Sequence, residues 1–302
     1  MMEKNNRTLG HIACFTAYAI FGVNIIICKD LTGGHLISPI TLFTLRALGA
    51  GMLFWLLSWF LPKENVDKKD FIKIFAAAFL GYFITQLTFL VAIPDVTPMH
   101  CSIMSAMSPI YTMFIAAIAL KEPLSWQKAG GVCLSLIGVI FLILNNSGRS
   151  SGTSESTLTG LLLMFLNSFS FSLYLGIFKP LIQKYTVVTF MKWIFLFSAL
   201  MSLPLSYREV FSLSWTQIPT TQLWELGYLV VFATFISYFL IPLGQKAIRP
   251  TLVSMYSYIQ PIIATVLSII LGMDILTWQK VLAAAMVFGG VIVVSRSRSS
   301  VR

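Results

Sequence analysis

Apolar stretches as long as a bilayer core is thick recur along the chain, separated by short polar punctuation. A hydrocarbon layer of about 30 Å takes roughly 20 apolar residues per helix. On that ruler the sequence predicts ten spans, at 9 to 28, 38 to 61, 71 to 93, 98 to 120, 126 to 144, 158 to 178, 187 to 206, 222 to 244, 250 to 272 and 278 to 295. The first follows Met1 to Arg7, and Ala17-Tyr18-Ala19 mimics a secretory cleavage site. Because the apolar run continues past it to Cys28, an uncleaved span is expected. The expected fold class is an all-α integral membrane protein of ten transmembrane helices.

Composition points the same way. Of 302 residues 57% are hydrophobic and 11% charged, with a mean hydropathy of +0.84. A water-soluble globule of this length needs more polar surface than these residues supply. The formal charge of +10 comes from cations placed between apolar blocks, which suits an anionic membrane surface; no nucleic-acid partner is expected. On the side of the termini lie 16 of the 21 Lys and Arg residues; four lie on the other side, and Arg46 falls within span two. The positive-inside rule therefore puts both termini in the cytoplasm, in a bacterial-type inner membrane with lipids as surroundings. Cys14, Cys28, Cys101 and Cys133 sit in apolar stretches without paired or metal-ligand spacing, and His11, His35 and His100 are scattered. With no HExxH, Walker A, GxSxG or HxE…CxxC pattern, neither a metal nor another cofactor is expected, and an ATP-driven pump has no support.

The chain repeats itself. At an offset of 152 residues, Pro98 to Ile143 align with Pro250 to Ser295 without a gap, with 13 of 46 positions identical; chance gives about three. Among the matches are Ser102/Ser254, Ser105/Ser257, Pro109/Pro261, Trp126/Trp278, Gln127/Gln279, Lys128/Lys280 and Gly138/Gly290, with Glu122/Asp274 a conservative pair. The offset corresponds to five spans, an odd number, so the copies are expected to cross in opposite senses as an inverted 5+5 repeat. The expected organisation is a first repeat over 1–144, a Ser- and Gly-rich linker at 145–157, and a second repeat with a short basic tail over 158–302.

Phe21-Gly22-Val23-Asn24 followed by Lys29, then Ser38-Pro39 and Arg46, resembles the first-helix WG-x-N and downstream S-P…R pattern of the drug/metabolite transporter superfamily, in its ten-helix EamA-like branch. Pro109, Lys121-Glu122-Pro123-Leu124 and their counterparts Pro261 and Asp274 to Leu276 extend the likeness over nearly the whole chain. Phe21 departs from the usual Trp, which weakens any role carried over for that ring. The resemblance implies transport of a small metabolite, most often export, without naming it.

Polar side chains within spans are the candidates for contact with that solute, because they are costly in lipid. The expected binding set is Asn24, Arg46, Tyr82, Gln86, Asn167, Tyr174, Tyr238, Gln245 and Tyr258. Pro109, Pro242 and Pro261 are expected to kink their helices beside a cavity, since each frees a mid-span carbonyl. Ser254, Tyr258, Pro261, Thr265 and Ser268 form one helical stripe, repeated by Ser102, Ser105, Pro109, Thr112 and Ala116. For serines and alanines close helix packing explains the stripe equally well. Interhelical hydrogen bonds are the rival account of the amides, and belt or core positions of the tyrosines. Glu122 and Asp274 are expected to pair with lysines of neighbouring loops.

All 11 acids fall in loops or near span ends, which argues against a carboxylate proton relay and for a facilitator or exchanger. Arg46 is the deepest cation, while Lys29, Lys179 and Lys192 can snorkel. An unpaired Arg46 would attract a carboxylate. The expectation is a secondary transporter, not an enzyme, exporting amino acids or related small metabolites by alternating access. A flippase of the same fold and an intramembrane enzyme on lipid phosphates are the alternatives, the latter lacking a base near Arg46.

Overall fold

The computed structural model describes residues 2–33, 37–96, 104–146, 157–270 and 277–297. Among them every regular element is helical. The elements are α1 (Met2–Gly33), α2 (Pro39–Trp59), α3 (Lys68–Ala78), α4 (Thr85–Ala92), α5 (Ser108–Ala119), α6 (Trp126–Asn146) and α7 (Leu158–Ile177) in the first part of the chain. There follow α8 (Lys179–Lys184), α9 (Val187–Ser212), α10 (Thr220–Tyr228), α11 (Ser237–Ala247), α12 (Pro250–Met255), α13 (Ile259–Ile270) and α14 (Trp278–Arg296). Each predicted span contains described helix. Six stretches are long and apolar enough to cross a membrane: Pro39–Trp59, Lys68–Asp95, Leu158–Ile177, Val187–Ser212, Thr220–Ala247 and Trp278–Arg296. Met104–Ala119 and Trp126–Phe141 are shorter apolar helices. The chain is thus a multi-pass membrane protein. Ser102, Asp274, Leu276, Cys101 and linker residues 147–156 lie outside the described residues, as do the side chains of Lys29, Thr265 and Ser268.

Local chemistry sets the helix starts. Ser38, Thr157 and Thr186 are N-caps whose hydroxyls accept from the backbone N–H three residues on, and Pro39 occupies the first turn of α2, where its missing donor is not needed. Large apolar side chains such as Met52, Phe114, Ile118 and Leu162 face outward, as lipid contact requires, and Trp59, Trp126 and Trp278 stand exposed at helix ends.

Four irregularities interrupt the helices, in corresponding places. A π-helix at Phe79–Ile84 joins α3 to α4, and another at Leu229–Ile236 joins α10 to α11. A turn at Met107 precedes α5 with Pro109 in its first turn, and a 3-10 turn at Tyr256–Tyr258 precedes α13, which carries Pro261. Pro242 lies inside α11, six residues beyond the second π-helix.

Two antiparallel helix pairs are reciprocal. In α6 and α14, Gly138 faces Ala283 and Val287, while Gly290 faces Gly131 and Ser135, and the offset of 152 converts one set into the other. Ser135 Oγ donates to its own counterpart, the carbonyl of Val287, at 3.0 Å. In α2 and α9, Thr44 bonds Ser206 at 2.6 Å and Lys192 donates to Ser58 at 2.9 Å; here an offset of 148 exchanges the two contacts. Reciprocal antiparallel contacts are what a two-fold axis perpendicular to the helices produces.

The backbones of α6 and α14 approach closely because glycines meet. A Cβ at Gly290 would strike the Gly131 carbonyl and the Ser135 side chain, whereas one at Gly130 meets nothing within 4 Å. Gly290→Ala is therefore expected to lower the thermal unfolding midpoint in detergent, by overpacking worth roughly 1–3 kcal/mol. Gly130→Ala should leave the midpoint unchanged or raise it.

Candidate functional site

A cavity opens among α1, α4, α5, α7, α11 and the chain around the 3-10 turn. Helix α1 contributes Tyr18, Phe21 and Asn24; α4 contributes Thr85, Gln86 and Phe89; α7 contributes Asn167, Ser168 and Phe171. Ser105, Ser108, Tyr238, Ser257 and Gln260 complete the wall. No carboxylate, lysine or arginine is among these side chains.

The polar groups of the wall also serve the interrupted backbone. In the first π-helix Thr85 Oγ1 donates to the Leu80 carbonyl at 2.7 Å, and Ser170 Oγ donates to the same carbonyl at 2.8 Å. Asn167 Nδ2 donates to the Thr85 carbonyl at 2.6 Å. In the second π-helix Ser237 Oγ repeats the Thr85 bond, donating to the Phe232 carbonyl at 3.0 Å. Between the halves, Gln86 Nε2 donates to the Tyr238 hydroxyl at 2.8 Å. These two residues stand 152 apart, the offset of the repeat, so each is the other's counterpart. The hydroxyls of Tyr18 and Ser257 and the Oε1 of Gln86 are buried without a protein partner.

Of the residues expected from sequence, the structure brings Asn24, Gln86, Asn167 and Tyr238 to the cavity. The others are buried outside its lining. Arg46 is fully buried: Nε donates to Thr234 Oγ1 at 2.9 Å and Nη1 to Cys28 Sγ at 3.7 Å, while Nη2 is buried without a protein partner. The threonine and thiol supplied by α1 and the second π-helix were not visible as partners in the sequence. Tyr82 packs its ring against Phe43, Phe195 and Tyr238. The Tyr174 ring fills the notch left by Gly81, Gln245 Nε2 donates to the Leu175 carbonyl at 2.6 Å, and Tyr258 is buried beside the 3-10 turn. Sequence reading missed Tyr18, Thr85, Ser108, Ser168 and Gln260. The repeat carried a signal for some of them, since Ser105/Ser257 and Ser108/Gln260 are both pairs at the offset of 152.

Polar contacts between elements close the end of the bundle that carries the N-terminus. Gly10 abuts Ala247 and Gly244 abuts Cys14. His11 Nδ1 and the Tyr256 hydroxyl are 2.6 Å apart. Asp70 accepts from Lys184 at 2.6 Å and from Tyr185 at 2.8 Å, and Thr186 Oγ1 donates to Glu64 at 2.7 Å. Its hydrogen bonds to Asp67 and Asp70 hold the Lys184 ammonium well above its ordinary pKa. Partial burial works against the Glu64 charge, but hydrogen bonds from Thr186 and Thr189 keep its carboxyl below the usual range. Glu122 pairs at 2.5 Å with the fully buried Lys128, a residue in the first turn of α6 and not the loop lysine expected, and Thr251 adds a 3.4 Å contact. At the opposite end Ser38 and Thr41 donate to Glu209.

The sequence profile of the EamA-like transporter family matches residues 8–144 and again 158–296. The uncharacterized transporter YetK of Bacillus subtilis (strain 168) is 22% identical over 291 residues, covering 94% of this chain and 86% of that protein. YdfC of the same organism, also an uncharacterized transporter, is 25% identical over 84% of this chain and 81% of its own length. The S-adenosylmethionine/S-adenosylhomocysteine transporter of Chlamydia muridarum (strain MoPn / Nigg) is 22% identical over 76% of this chain and 74% of its own. A protein of known crystal structure, 16% identical, superposes with a TM-score of 0.75 over 96% of each chain, which shows a shared fold.

The buried Lys128–Glu122 pair gives a stability test. Glu122→Ala leaves an ammonium buried without its carboxylate, a loss of about 3–5 kcal/mol for such pairs, and should lower the unfolding midpoint strongly. Lys73→Ala, which removes an exposed partner of Asp70, should barely move it.

Proposed function

From its place in the EamA-like transporter family, to which the chain belongs, we propose that it is a secondary carrier working by alternating access between two inverted five-helix repeats. The family and the transporter relatives make it a membrane transporter of a small molecule and not an enzyme. The finer reading is a facilitator or exchanger for amino acids or related small metabolites. Export from the cytoplasm is the direction the family resemblance implies.

The observation that carries this reading is the composition of the cavity wall by counterparts. Phe21 and Phe171 are 150 apart, as are Tyr18 and Ser168; Gln86/Tyr238, Ser105/Ser257 and Ser108/Gln260 are 152 apart. Such a wall straddles a pseudo-two-fold axis, and the antiparallel reciprocity of α6 with α14 and of α2 with α9 supports an axis in the membrane plane. The amides and hydroxyls of the wall favour a polar metabolite over a lipid chain, against a flippase. Repeat boundaries at 1–144 and 158–302 follow from the same reading, with the two profile matches in support.

Exchange of the halves would open a second cavity, on the side of the termini. The repeat offsets turn Asn24 into Tyr174 and Thr85 into Ser237. Both Tyr174 and Ser237 are now buried, and the Tyr174 hydroxyl lacks a protein partner. In a cysteine-free background, an impermeant maleimide should reach Asn24→Cys from outside and Ser237→Cys from the cytoplasm. Identical sidedness for the two would refute alternation. Both termini are proposed to be cytoplasmic, so Gly152→Cys should label from outside and Ser299→Cys should not. The transport claim itself is checked by counterflow of amino acids, sugars and nucleotides in liposomes: exchange of no solute in the panel would overturn it.

A further inference from the structure

The Gln86–Tyr238 pair differs from the rest of the cavity wall. It is a side-chain hydrogen bond between counterparts, so it lies where the proposed axis passes, and a rotation that exchanges the halves leaves the pair facing the solute path in both access states. Off-axis lining groups such as Asn24 and Thr85 are replaced in the exchange. A group that must hold the solute on both sides of the membrane belongs on the axis.

The hydrogen-bond inventory around the pair is incomplete. Gln86 donates through Nε2 to the Tyr238 oxygen, which leaves Gln86 Oε1 as an acceptor without a partner and the Tyr238 hydroxyl hydrogen free to donate. Tyr18 adds a hydroxyl with no protein partner. All three side chains are more than nine-tenths buried, at 8%, 3% and 2% exposure. Buried polar atoms without partners are costly, and a ligand that completes them recovers that loss.

Among the described residues no ionised side chain lines the wall. The deep cation, Arg46, stands outside the lining, where it donates to Thr234 and Cys28 and keeps Nη2 without a protein partner. A solute with net charge would surrender its hydration without meeting a counter-ion in the lining, whereas a neutral polar group exchanges one set of hydrogen bonds for another. We infer that Gln86 and Tyr238, with Tyr18 beside them, are the specificity-determining centre of the cavity. They recognise an uncharged group with both a donor and an acceptor edge, such as a carboxamide, ureide or hydroxyl, on a solute of zero net charge. This rests on the carrier reading and names the substrate class of its site.

The test uses the full-length protein and four probes: nicotinamide as a neutral carboxamide, glutamine as a zwitterion bearing a carboxamide, succinate as a dianion and putrescine as a dication. Binding is read as a shift of the thermal unfolding midpoint in detergent, and transport as glutamine counterflow in liposomes. The two net-neutral probes should stabilise the protein and the two ions should not. Gln86→Glu replaces the Nε2 donor by a charged acceptor that takes up the free Tyr238 hydrogen, and should weaken nicotinamide about tenfold or more while admitting putrescine. Tyr18→Phe removes a hydroxyl that no protein group uses, so it should weaken nicotinamide severalfold without lowering the midpoint of the free protein. A merely structural hydroxyl would not give that split, and Tyr18→Phe decides the matter if Gln86→Glu fails to fold. A preference of the unmutated protein for either ion, unchanged selectivity in Gln86→Glu, unchanged nicotinamide binding in Tyr18→Phe, or no stabilisation by either neutral probe overturns the inference. Stabilisation by neutral probes without counterflow of any solute would sink the carrier reading and leave the pair's role standing.

Discussion

Lipid offers no hydrogen bonds, so every backbone N–H and C=O at membrane depth must find its partner inside the protein. That constraint makes the chain helical, and it makes each departure from the α-helix informative. Thr85 and Gln86 directly after the first π-helix, Tyr238 just beyond the second, Ser108 after the turn before Pro109 and Ser257 in the 3-10 turn before Pro261 all line the cavity. At these places hydroxyls and amides take over the carbonyls that the regular ladder leaves, as Thr85 and Ser170 do for Leu80, Ser237 for Phe232, and Ser168 for Met104. The polar wall is therefore partly a repair of the backbone. Side chains recruited for that repair already stand where a solute can meet them.

Much of the helix plan was legible in the sequence because span length is a physical ruler, and the ends of α2, α7 and α9 follow the caps Ser38, Thr157 and Thr186. The irregular segments were only half legible. Pro109 and Pro261 marked two of them, but the π-helices at Phe79–Ile84 and Leu229–Ile236 carry no proline and read as ordinary apolar spans. Within the candidate site, amides were the easier targets: Asn24, Gln86 and Asn167 line the cavity, and Gln245 instead bonds the Leu175 carbonyl between helices. Tyrosines were harder, because a phenol satisfies a core, a headgroup belt or a cavity equally well in sequence. Tyr82, Tyr174 and Tyr258 went to the interior, whereas Tyr18 went to the wall.

The repeat supplies symmetry of backbone without symmetry of chemistry. Of the five counterpart pairs in the wall three differ: Gln86 answers to Tyr238, Ser108 to Gln260 and Tyr18 to Ser168, while Phe21/Phe171 and Ser105/Ser257 are alike. A fully symmetric wall would bind a solute with equal preference in two orientations related by the axis. The observed asymmetry gives one orientation an advantage, while the glycine contacts of α6 and α14 remain paired and preserve the shared geometry. Scaffold and specificity are thus assigned to different positions of the same repeat.

Charge follows a complementary division. The ion pairs of Glu122, Asp67 and Asp70 gather with their lysines at the terminal end of the bundle, and the cavity wall is left neutral. Arg46 is the exception, buried outside the cavity lining and donating to Thr234 and Cys28. A cation held behind an aromatic layer acts differently on ions and on dipoles. For an ion in a low dielectric its field adds a large attraction or repulsion, which would either trap the solute or exclude it. For a neutral solute that field acts on the dipole alone, which orients the molecule more than it holds it. Orientation without trapping is what a carrier needs, since a solute held too tightly in one access state would not be released in the other.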